Sequence, residues 1–163
     1  MSVPDQPALE QPGKSTSRAI SNAYYALFHA VIAEAADDLV GRTHRQTPRY
    51  MLVYRSVDHK RLRGLCEDIA KQNLPSRYSK FEPEGGFGRD LRSFAKAVVE
   101  LQESRHQADY DPLFRATRSN AILIVKKSRE ALEQFRHANR VLRRAFLTLV
   151  VFPPRQSRQD PET

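Results

Sequence analysis

The chain has 163 residues, enough for one domain that buries roughly two thirds of its unfolded surface, so it requires neither a metal nor a disulfide staple. Its single cysteine, Cys66, excludes an intramolecular disulfide, and no pair of Cys or His has zinc-ligand spacing; both features fit a reducing cytoplasm and no metal or cofactor. With 27 Lys and Arg against 19 Asp and Glu the net charge is +8, a field that favours polyanions such as nucleic acid, unless the charge only solvates helix faces.

In chain order, residues 1–14 are rich in proline and lack the apolar run of a signal peptide, so they are expected to form a disordered arm. Ser15, Thr16 or Ser17 is placed to cap a first helix that Gly41 ends. Within it Ile20, Tyr24, Leu27, Phe28, Val31, Ala35 and Leu39 recur at steps of three and four, an apolar stripe that other helices must cover. Beside it runs a polar stripe, Arg18, Asn22, Tyr25 and His29. Thr47 and Pro48 open a second helical segment, which restarts near Ser56 with Val57, Leu62, Leu65 and Ile69 as its apolar positions.

Residues 74–90 form one long irregular segment. Arg77, Lys80 and Arg89 alternate there with Tyr78, Phe81 and Phe87, a mix that suits single-stranded nucleic acid or, more plainly, a connector whose rings tuck onto the helices. A third helix from Arg89 to Asp109 places Arg105 on its own apolar stripe, after Leu91, Phe94, Val98 and Leu101. Desolvating an unpaired guanidinium costs several kcal/mol, so Arg105 requires partners, with Asp109 one turn on and Tyr25 and His29 on the first helix as candidates. Such an arginine either fixes helix register or holds a ligand. Thr117 or Ser119 caps a long last helix reaching Val151, with Ile122, Val125, Arg129, Leu132, Phe135, Leu142, Phe146 and Leu149 along one face. Pro153 and Pro154 stop it, and residues 153–163 read as a disordered tail. The longest apolar run, Ala145–Phe152, is far short of the roughly 20 residues of a membrane span. The whole predicts an all-α fold, an antiparallel four- to five-helix bundle over residues 15–152.

The stretch R-A-x-S-x-A-Y-Y-A-L-F-H-A at Arg18–Ala30 resembles the first-helix signature of HEPN-type helical domains, and R-H-Q-A-D-Y at Arg105–Tyr110 resembles the R-x-x-A-D-Y motif of HEPN-like families. The resemblance implies a helical bundle, a homodimer with a polar groove near the subunit interface, and a place among ribonuclease toxins and nucleotide-binding partners of nucleotidyltransferases. Cognate partners would be a nucleotidyltransferase or an antitoxin. Ribonuclease members carry a histidine after a gap of four to six intervening residues from the arginine, whereas here the four-residue gap from Arg105 ends at Tyr110 and the six-residue gap at Pro112.

These readings converge on a pocket formed by Arg18, Asn22, Tyr25 and His29 of the first helix and Arg105, Asp109 and Tyr110 of the third. As a binding site for RNA or a nucleotide it would use Arg105 as a two-pronged phosphate ligand. As a metal-independent ribonuclease of variant type it would use Arg105, His29 and Tyr110 as catalytic residues. A non-catalytic helical interaction module is the third alternative, in which Arg105 only holds the fold together.

Overall fold

In the computed structural model the described residues are 12–71 and 74–155. They form six helices: α1 (Pro12–Leu39), α2 (Pro48–Tyr54), α3 (His59–Ala70), α4 (Gly88–Tyr110), α5 (Arg118–His137) and α6 (Arg140–Val151). No described residue lies in a strand, which gives the all-α class. No helix among the described residues is long and apolar enough to cross a membrane.

Most helix starts follow from local chemistry. Thr47 accepts a hydrogen bond from Tyr50 N at 3.3 Å with Pro48 at the first helical position, Asp58 accepts from Arg61 N at 2.7 Å, and Thr117 accepts from Asn120 N at 3.1 Å. Gly41, at φ 100°, turns the chain after α1 as expected. The first helix begins at Pro12, ahead of the three hydroxyl residues proposed to cap it, so residues 12–14 of the expected arm are helical. The rest of that arm, and the tail from residue 156, lie outside the described residues. One long last helix was expected, but the chain forms two, because Ala138 is extended and Asn139 accepts from the backbone N–H of Val141 at 2.8 Å to cap a new helix.

Helices α1, α4 and α5 form the centre. Tyr25 meets Arg105 and Ser21 meets Asp109, so α4 runs against α1. Lys127 meets Glu100 and Phe135 meets Phe94, so α5 runs against α4. Helix α5 therefore runs in the same sense as α1, and Ser128 Oγ donates to Ala23 O at 2.7 Å while Arg136 faces Glu34. Two neighbouring helices thus share a direction, unlike a strictly antiparallel bundle. Helix α3 covers the outer side of α4, and α6 crosses the end of the bundle, where Phe146 meets Phe94 and Phe135 at ring distances of 5.7 and 5.9 Å.

The predicted stripes of α1 and α4 are the buried ones, whereas the predicted face of α5 is buried at Phe135 but exposed at Ile122 and Arg129. Ile20, Tyr24, Leu27, Phe28, Val31 and Ala35 of α1, and Leu91, Phe94, Val98 and Leu101 of α4, are all buried, whereas Leu39 at the end of α1 is exposed. In the irregular segment Tyr78 and Phe87 are buried and Phe81 is exposed, while Arg77 donates to Asp68 Oδ2 at 2.7 Å. The connector reading describes that segment, and of its three rings only Phe81 is open to a stacking base.

Candidate functional site

The antiparallel packing of α1 on α4 sets the last two turns of α4 against the first half of α1. Arg105 stands at the point where the apolar stripe of α4 reaches solvent, with its side chain 14 % exposed. Its Nε donates to Asp109 Oδ2 at 2.8 Å, one helical turn on, and one Nη donates to the Tyr25 hydroxyl at 2.7 Å. The guanidinium also lies 5.0 Å from the centre of the Tyr25 ring and 5.7 Å from that of Tyr110. Burial alone would lower its pKa, but Tyr25, Asp109 and Tyr110 outweigh that and raise it, so Arg105 is charged at every working pH. Asp109 accepts a second hydrogen bond from Ser21 Oγ.

Tyr25, Arg105, Asp109 and Tyr110 are therefore brought together. Arg18 is exposed and lines the same cleft as Asp109. His29 is exposed one turn beyond Tyr25, with the two rings 6.4 Å apart, and its Nδ1 pairs with the Tyr54 hydroxyl of α2 at 2.8 Å. Asn22 is exposed and does not join the network; Ser21, rotated about 100° from it around the helix, faces α4 instead. Two of the five N–H donors of Arg105 are engaged, one on Nε and one on Nη2.

Three participants, Ser21, Tyr24 and His59, were not among the site residues expected from the sequence. His59, the first residue of α3, stacks on Phe28 at a ring distance of 4.0 Å and pairs through Nδ1 with the Tyr24 hydroxyl at 2.9 Å. Burial lowers the His59 pKa, and Arg105 and His29 lower it further, so the ring is neutral at pH 7. Burial also raises the pKa of the Tyr24 phenol, which stays protonated and shares its hydrogen bond with Nδ1. Nothing in the period of the sequence marks His59, because a four-residue gap and a helix start separate it from α2. Its only local signal is the capping aspartate that precedes it.

Next to this network an open cleft of about 750 Å³ lies between the first turns of α1 and the segment after α4. Lys14, Ser17, Arg18 and Ser21 line it from α1, and Asp109, Asp111, Phe114 and Arg115 line it from the other side. Arg115 is held there by its own loop, its Nη1 donating to Pro112 O at 2.9 Å and Phe114 O at 3.3 Å. Phe114 is half-buried. Among the described residues no group of three or more His, Cys, Asp and Glu side chains converges as metal ligands would.

Comparison with protein-family models, with curated proteins and with solved structures gives no match.

Proposed function

We propose that this chain is a HEPN-like nucleic-acid or nucleotide-binding protein that receives phosphate in the cleft between the start of α1 and the segment after α4. The observation that carries the reading is the lining of that cleft, where Lys14, Arg18 and Arg115 stand around the hydroxyl of Ser17 and the ring of Phe114. Three cations outnumber the two carboxylates, and one of these, Asp109, is already committed to Arg105 and Ser21. Cations and hydroxyls suit phosphate oxygens, and a half-open ring offers a base a stacking surface. Arg105 is then a positioning residue: by holding Asp109 and Tyr25 it fixes the wall of the cleft. The homodimer, the cognate antitoxin or nucleotidyltransferase, and a toxin-antitoxin or defence setting belong to the same proposal and rest on the resemblance at Arg18–Ala30 and Arg105–Tyr110.

One observation favours a ribonuclease instead. His59 is a neutral imidazole at pH 7 whose Nδ1 pairs with the hydroxyl of Tyr24, and the centre of that Tyr24 ring lies 6.0 Å from the charged Arg105, which sets a candidate base and an anion stabiliser around one phenol. A single experiment separates the two readings: fluorescein-labelled single-stranded RNA of mixed sequence, followed by anisotropy at low salt with chelator present and then by gel. The expected result is binding that Arg18→Glu or Arg115→Glu weakens roughly tenfold or more, with helicity unchanged and the RNA intact. Absence of binding overturns the proposal. Cleavage that His59→Asn abolishes installs the ribonuclease in its place.

A further inference from the structure

Helix α5 has two apolar faces, and the fold covers one. Ala121, Ser128, Ala131 and Phe135 turn inward, but Ile122 and Leu123 are exposed at 59 % and 64 %. Ile122 and Val125 belong to the apolar face that the sequence period marks out on this helix. Together with Ala19 of α1 they floor an open groove of about 870 Å³ between the first turns of α1 and α5. Ala19 lies about 100° around α1 from Arg18, so this groove and the phosphate cleft occupy different faces of that helix.

The rim decides what the groove fits. Among the described residues Arg118, Lys126 and Arg129 line it and no carboxylate does. Lys126 reaches Glu130 at 3.7 Å on the outer side, and Arg118 and Arg129 are exposed. A second copy, carrying the same cations and the same net charge of +8, would bring like charges together over the apolar floor. We infer that the groove is a docking site for an amphipathic helix of another protein, with an apolar stripe flanked by Asp or Glu. The floor and rim run from Arg118 to Arg129, about 17 Å, which accommodates a partner helix of roughly three turns. Its apolar positions at i, i+3, i+4 and i+7 would seat against Ile122 and Val125 while its acids meet the three cations.

The probe is a fluorescein-labelled synthetic peptide with leucines in that spacing and glutamates beside them. It is compared with the same leucine stripe flanked by lysines, and with the glutamate composition in scrambled order. The full chain should bind the first peptide, and the other two at least roughly tenfold more weakly. Ile122→Glu should abolish binding, and Arg129→Glu should weaken the glutamate peptide while improving the lysine peptide. Both changes are on exposed positions, and the circular dichroism of each variant is recorded alongside. Equal binding of the lysine or scrambled peptide overturns the inference, as does an Arg129→Glu chain with unchanged preference. Sedimentation that shows a dimer lost on Ile122→Glu overturns it too, because the groove is then filled by a second copy.

Discussion

Arg105 shows how much one side chain decides at the seam between α1 and α4. It joins Tyr25 on one helix to Asp109 on the other, each through a charge-assisted hydrogen bond. Arg105→Met keeps the stem and loses both bonds, and is expected to cost about 2–3 kcal/mol in urea unfolding, with Tyr25→Phe costing about half as much. A double-mutant cycle should give a coupling above roughly 0.5 kcal/mol; strict additivity would mean that the contact contributes nothing. His59 makes a pH prediction. Its ordinary value is 6.5 and folding lowers it, so above pH 6.5 the ring is neutral in both states and its full contribution is present. As the pH falls below 6.5 the unfolded chain takes up the proton first, and stability is lost until the folded ring protonates too. The stability difference between wild type and His59→Gln should be flat above pH 6.5 and shrink below it; a flat difference down to pH 5 would contradict the burial of this imidazole. Arg105 and its partners were legible because a charge on an apolar period must be paired, and four-residue spacing points to Asp109. Ser21 and His59 were not, since a serine beside the polar stripe and a histidine at a helix start carry no period of their own.

At the scale of the helices, burial follows period on α1 and α4 but not along the whole of α5, where Ile122 stands on the predicted face and is exposed. The stripes of α1 and α4 were read correctly residue by residue, apart from Leu39, because both run the length of the core. The last helix was misread for a reason of the same kind. The apolar period passes unbroken through Ala138 and Asn139, so the pattern continues while the backbone turns. Asparagine is among the residues most at home at a helix start, yet inside a periodic run it reads as one more polar position. The turn is what lets Phe146 reach Phe94 and Phe135 across the end of the bundle. Gly88 serves the same junction. It starts α4 at φ 78°, and a Cβ there would stand 3.2 Å from Leu142 Cδ1 of α6. The positive φ favours glycine there, and a Cβ would in addition press on Leu142.

For the molecule as a whole the open question is whether its net charge of +8 acts as a diffuse field or through one place. The two cases differ in how affinity responds to salt. Each phosphate neutralised in a complex releases condensed counterion, at about 0.7 per contact for single strands, so the slope of log affinity against log salt counts contacts. If the phosphate cleft is the site, Arg18→Glu and Arg115→Glu should each reduce that slope by about 0.7 while lowering affinity across all sequences tested. Lys80→Glu, an exposed cation in the segment between α3 and α4 that lines neither the cleft nor the groove, changes net charge by the same amount and should leave the slope unchanged. Arg129→Glu makes the sharper comparison. It stands on another face at the same end of α1, so a strand confined to the cleft does not register it, whereas one held by the general field loses as much there as at Arg115. Four variants with the same charge change and equal slopes would place the binding in the field and remove the cleft from the argument.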